Sequence, residues 1–141
     1  MSTSPPKKPQ PLKVILDSNA LFVPLKFKVD IFEELKSLLN RNVEFVLLSA
    51  VKRELEVLAA GDSPKVRREA TYALRLAEKC KFVAVDDRGE TTDDVIVRVA
   101  KSWNSPVFTN DRVLKKRLRD ISVPVIYLRQ KSRLGIDGLI S

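Results

Sequence analysis

The sequence predicts an α/β fold, with a central parallel sheet of about five strands covered by helices on both faces. Two observations carry this. Short apolar, β-branched runs alternate with segments whose apolar residues recur at helical spacing, the order expected of strand–helix–strand crossovers. The runs are also apolar throughout instead of alternating, as strands buried on both faces are. The 141 residues suffice for one domain with its own core, and 44% hydrophobic with 31% charged residues is ordinary for such a domain.

Residues 1–11 hold prolines, serines and a lysine pair, a composition that argues for a disordered tail, with the domain running over 12–141. A first strand is expected at about 13–16. Asp30 and Glu33 then have the spacing of a capping box, and Ile31, Leu35, Leu38 and Leu39 continue it as an amphipathic helix ending near Asn40–Asn42. A second strand, 44–48, leads to Ser49, read as the cap of a helix with the stripe Val51, Leu55 and Leu58, stopped by Gly61. Ser63-Pro64 opens the next helix, whose stripe is read as Val66, Ala70, Leu74, Ala77 and Cys80. Residues 82–85 form a third strand, and Asp86 and Asp87 fall in a solvated turn. Thr91 or Thr92 starts a helix carrying Ile96, Val99, Ala100 and Trp103. A short fourth strand at 106–108 precedes a helix with Leu114, Leu118 and Ile121. A fifth strand at 124–128 is followed by a basic tail.

Composition narrows the chemistry. There is no histidine, which removes Ser/His and Cys/His triads and histidine zinc sites. The single cysteine excludes an internal disulfide framework and a multi-cysteine zinc ribbon; Cys80 is read as a small buried hydrophobe. A net charge of +8 and a pI of about 9.8 fit a polyanionic partner such as nucleic acid. The N-terminus lacks the apolar segment of a secretion signal, and no run reaches the roughly 20 residues that span a bilayer. A cytoplasmic protein with no membrane partner is expected.

An enzyme built this way must rely on carboxylates, lysine, cysteine or a bound ion, and the carboxylates are the group whose placement is informative. In a parallel sheet every strand-to-helix junction faces the same edge, where ligands bind. Asp17 ends the first strand and Asp111 follows the fourth. Glu54 lies about 60° from the apolar stripe of its helix, so it borders the core. Of the pair at 93–94, Asp93 lies about 100° from its stripe and Asp94 about 160°, which favours Asp93 as the inward acid with Asp94 as the fallback. Each acid also has a purely structural reading. Asp17 and Asp111 are placed to be N-caps, Asp94 completes a T-x-x-D capping box with Thr91, and Glu54 reads as one more charge on a helix flank. Jointly these readings weaken, because four carboxylates at one mouth repel one another unless a cation is present. Hard oxygen ligands without His or Cys select Mg²⁺ or Mn²⁺.

Four stretches, DSNAL from Asp17, SAVKREL from Ser49, DDVI from Asp93 and VFTND ending at Asp111, give the chain a resemblance to PIN-domain ribonucleases, end to end after the tail. The closing VFTNDRVLKKRLRD…VPVIYLRQKSRL resembles an archaeal branch related to the VapC toxins and to a PIN nuclease of small-subunit ribosomal RNA maturation. The zinc ribbon of one ribosomal PIN endonuclease has no counterpart here. The resemblance implies a three-layer α/β/α sandwich and Mg²⁺- or Mn²⁺-dependent endonucleolytic hydrolysis of RNA that leaves a 5′-phosphate. It also implies a metal-binding quartet of Asp17, Glu54, Asp93 and Asp111, with Asn19 and Thr109 lining the site. A homodimer is expected from it, as is an antitoxin or a pre-ribosome as partner.

Arg112, Lys115, Lys116 and Arg119 recur on one helix face and, with Arg129, Lys131 and Arg133, are read as an RNA-backbone surface; the alternative is an ordinary solvated face. Two other readings stand beside the nuclease. One is a PIN-like RNA-binding or ribosome-assembly module with little turnover. The other is a receiver-type signalling domain, which would need an acid pair after the first strand and a lysine closing the fifth, where this chain has one acid and Arg129.

Overall fold

The computed structural model describes residues 10–140, so residues 1–9 of the segment read as a tail lie outside the described residues. Strands β1 (Leu12–Leu16), β2 (Val43–Leu48), β3 (Lys81–Val83), β4 (Val107–Phe108), β5 (Val125–Arg129) and β6 (Arg133–Asp137) form one sheet in the order β3-β2-β1-β4-β5-β6. The first five are parallel and β6 pairs antiparallel to β5. Val14, Ile15 and Leu16 are consecutive yet all fully buried. Because strand side chains alternate between faces, both faces of the sheet are covered.

The helices are α1 (Ser18–Phe27), α2 (Ile31–Leu39), α3 (Ser49–Ala59), α4 (Pro64–Ala77), α5 (Thr92–Trp103) and α6 (Arg112–Asp120). The α/β class, the parallel sheet and the five expected strands are present. Two elements are additional. Helix α1 carries Pro24 in its interior, which blurs its period. Strand β6 follows a turn in which Gln130 and Lys131 adopt left-handed φ of 54° and 61°.

Several local expectations are corrected. Ser49 is the first residue of α3, not its cap: its hydroxyl accepts from Val85 N–H at 2.9 Å and donates to Val85 O, tying α3 to the segment after β3. Leu38 is 41% exposed while Phe32 is buried, edge-to-face with Phe45, so α2 presents Ile31, Phe32 and Leu35 to the core. Helix α4 ends at Ala77, so Cys80 sits in the following turn, half-buried against the core. Asp30 caps α2 by accepting from Glu33 N–H, and Thr91 and Asp94 form the full capping box of α5. Among the described residues no helix is long and apolar enough to cross a membrane.

Candidate functional site

From β1 the chain winds outward through β2 to β3, then returns to place β4 and β5 on the other side of β1. The crevice outside the carboxyl ends of β1 and β4 is therefore the switch point of the sheet, where open α/β folds bind ligands. Asp17 stands at the end of β1. It is buried, and one oxygen accepts from Ser18 N–H at 2.7 Å while the other accepts from the Thr109 hydroxyl at 2.8 Å. Thr109 is fully buried at the end of β4 and its hydroxyl also accepts from Asp111 N–H at 3.0 Å. One hydroxyl thus ties the two junctions together. Asn19 completes the tie, its side-chain oxygen accepting from Asn110 N–H at 2.9 Å.

The remaining acids arrive from helices. Glu54, in the second turn of α3, accepts from the Ser18 hydroxyl at 2.6 Å, which places it beside Asp17. Asp93 enters from the first turn of α5. Asp111 caps α6, with Oδ1 accepting from Val113 N–H at 2.9 Å and Leu114 N–H at 3.1 Å. The structural and site readings of Asp17 and Asp111 are thus compatible: each carboxylate is held by backbone amides at a helix start, where the dipole favours negative charge.

Electrostatics tie the group together. Burial is the main cause that raises the Asp17 carboxyl from 3.8 to about 6; the hydrogen bonds from Thr109 and Ser18 oppose it, and the fields of Asp93 and Glu54 add to it. Asp93 is also raised, by burial first and then by Asp111 and Glu54. Among the described residues none of the four carboxylates is ion-paired to Lys or Arg. Asp94 differs. It accepts from Arg117 at 2.8 Å, the first cause of its lowered pKa, and it closes the capping box. The fallback acid is therefore committed elsewhere.

The donor set is all oxygen and, among the described residues, free of ion pairs, with the field of Arg117 offsetting part of the charge at Asp93; such a set fits a hard divalent cation. Among the described residues no three acids are already drawn into a closed ligand set. Ser18, which joins Asp17 to Glu54, was not singled out by sequence reasoning. Its signal was a hydroxyl directly after the strand-ending acid, indistinguishable there from a capping serine.

The basic residues divide. Lys115 pairs with Asp137 at 3.5 Å and lies over the Tyr127 ring at 3.8 Å. Arg119 pairs with the same Asp137 at 3.3 Å and donates to Val123 O, and Lys116 pairs with Asp120 at 3.4 Å. Arg112, Arg129, Lys131 and Arg133 are exposed and form no ion pair among the described residues. Arg129 and Arg133 stand directly opposite each other in the β5–β6 register. That hairpin leaves the edge that carries the acids, and its base is pinned where Leu128 N–H donates to the Asn110 side chain at 2.7 Å.

Comparison with known proteins agrees with this geometry. A family model described as a PIN like domain matches residues 14–131. Ribonuclease VapC4 of Methanocaldococcus jannaschii is 33% identical over 129 residues, covering 91% of this chain and 98% of the relative. The rRNA-processing protein fcf1 of Schizosaccharomyces pombe is 32% identical over 120 residues, 82% of this chain but 58% of that protein. Among solved structures, the PIN domain endonuclease Utp24 superposes with a TM-score of 0.78 at 28% identity, covering 92% of this chain and 94% of that one.

Proposed function

The chain belongs to the PIN-like domain family, and from that premise we propose that it is an endoribonuclease that hydrolyses RNA phosphodiester bonds with Mg²⁺ or Mn²⁺. The observation that carries the reading is the set of four carboxylates gathered at the switch point, none of them ion-paired among the described residues, with Arg117 a cation whose field reaches Asp93. Relatives named as a ribonuclease and as an rRNA-processing protein support RNA as the substrate.

Asp17, Asp93 and Asp111 would hold the ion, and Glu54 would share it or orient the attacking water. A divalent ion so bound supplies an acidified water and neutralises charge on the phosphate. The chain's own groups do the rest. Ser18 N–H and the Thr109 hydroxyl fix both Asp17 oxygens, so this carboxylate is preorganised. The Ser18 hydroxyl turns Glu54 toward the pocket, where it can take a proton from water and direct its attack on phosphorus. Among the described residues no side chain stands ready as a general acid, so the leaving 3′-oxygen would be neutralised by the ion or by solvent, and the product would keep a 5′-phosphate. Arg112, Arg129, Lys131 and Arg133 would track the RNA backbone, with Lys115, Lys116 and Arg119 contributing less because acids already hold them.

The test is incubation of structured and unstructured RNA with Mn²⁺, Mg²⁺ or EDTA, wild type beside Asp17→Asn. Metal-dependent cleavage lost in the variant is expected; cleavage retained by Asp17→Asn overturns the assignment. A second reading, an RNA-binding assembly module with little turnover, is favoured by the absence of a closed three-acid set among the described residues. RNA binding without cleavage at any metal concentration would decide for it. A homodimer, and an antitoxin or a pre-ribosomal particle as partner, belong to the same proposal, and light scattering of the purified protein tests the first.

A further inference from the structure

Beside the acids, between α3 and the loop that precedes α5, lies a cleft of about 310 Å³. Its apolar lining is Ala50, Val57 and Leu58. It shares Glu54 with the acid pocket and ends at Thr92, the residue before Asp93. Val57 is 66% exposed, an apolar side chain offered to solvent on the wall of the cleft.

The far wall is the loop 86–90, and it is braced. Arg53 donates to Asp87 at 2.9 Å, and Arg98 donates to Glu90 at 2.9 Å and to Asp86 O. Arg88 N–H and Gly89 N–H close on the side chains of Asp86 and Asp87, with left-handed φ of 53° at Arg88 and 73° at Gly89. Five hydrogen bonds thus hold in place a loop that the sequence presents as a simple polar turn. A loop fixed to this degree beside a cavity is a preformed wall.

We infer that this cleft is a nucleobase subsite. It takes up a base of the RNA strand next to the scissile phosphate and prefers bases that carry an exocyclic amino group. The inference rests on the acid pocket being the hydrolytic site. Three features fit it. The volume lies at the small end of ligand cavities, roughly 300–1,000 Å³, which suits one base. The aliphatic lining accepts the face of a ring, and the Arg53 guanidinium at the cleft offers a planar cation to the same ring. The wall is rich in acceptors. Asp87 spends one oxygen on Arg53 and the other on Gly89 N–H, and Glu90 spends one on Arg98, yet a carboxylate has about four lone-pair sites. The amino groups of adenine and cytosine, and the N–H edge of guanine, donate to such a wall; uracil offers only its N3–H, flanked by two carbonyls that the carboxylates repel.

The experiment uses wild-type protein with labelled methyl groups in EDTA, titrated with adenosine, cytidine and uridine while the NMR signals of Ala50, Val57 and Leu58 are followed. RNA cleavage with Mn²⁺ is measured in parallel. Adenosine or cytidine is expected to move these three signals, with uridine weaker by about fivefold, the worth of one net hydrogen bond. Val57→Trp, checked for an unchanged urea midpoint, is expected to abolish the shifts and to erase the base preference beside the cut site. Protein that cleaves RNA but shows no methyl response, or an equal response to uridine, overturns the subsite and leaves the nuclease reading standing. A methyl response without cleavage at any metal concentration overturns the nuclease reading and, with it, the assignment of this cleft to a scissile strand.

Discussion

Replacing Asp17 by Asn separates a carboxylate kept for an ion from one kept for the fold. Burial chiefly raises its pKa from 3.8 to about 6. At about 1.36 kcal/mol per tenfold in proton affinity, the ionised side chain costs the metal-free fold about 3 kcal/mol. The folded state binds this proton more tightly than the unfolded chain. The cost is therefore present in full above pH 6, shrinks as the pH falls from about 6 to 3.8, and is absent below. Asparagine keeps the shape. Its oxygen can accept the Ser18 N–H, and the Thr109 hydroxyl can donate to Asn19 Oδ1, 3.4 Å away. Allowing about 1 kcal/mol for the hydrogen bond lost to Thr109, Asp17→Asn should be about 2 kcal/mol more stable than wild type at pH 8 in EDTA. The difference should close at about pH 4.5 and reverse slightly below it, where only the lost hydrogen bond remains. Urea unfolding across that range measures it, and added Mn²⁺ should stabilise wild type alone. A variant less stable than wild type at pH 8, or a gain that does not depend on pH, would refute the reasoning and leave Asp17 as a structural cap.

Three further outcomes are expected. Asp94→Ala should lower the urea midpoint, through loss of the capping box and the Arg117 pair, while leaving Mn²⁺ affinity unchanged; Asp93→Ala should weaken Mn²⁺ binding measured by calorimetry. Arg129→Ala and Arg133→Ala should each lower the salt dependence of RNA binding by about 0.7 in slope. Neither should destabilise the fold, because like charges face each other across the hairpin. The Cys80 thiol, pushed up to about 12 by burial, should react slowly with a disulfide reagent at pH 8 in the folded protein and rapidly in urea.

Much of the fold was legible because strand and helix periods differ and the core follows them. The preference for Asp93 over Asp94 came from their angles to the apolar stripe, and the T-x-x-D spacing announced the capping role in which the structure places Asp94. Features set by partners distant in sequence were not. Lys115 and Arg119 read as free cations because Asp137, which holds both, lies on a strand the sequence did not announce. That strand, RLGID, is short and contains a glycine, and its pairing depends on a turn built from non-glycine left-handed residues. Helix α1 was hidden by Pro24 and by an apolar run with little periodicity. The brace around Asp87 joins residues from three elements, and no single window of sequence contains it.

The ladder beneath the pocket also has a consequence for synthesis. Asp17 N–H donates to Phe108 O and Thr109 N–H to Ile126 O, both at 3.0 Å. The site's floor is therefore closed by strands made late in translation. Pairings of such long sequence separation form slowly and only once both partners have left the ribosome. A growing chain thus keeps its four acids apart until β4 and β5 have been made.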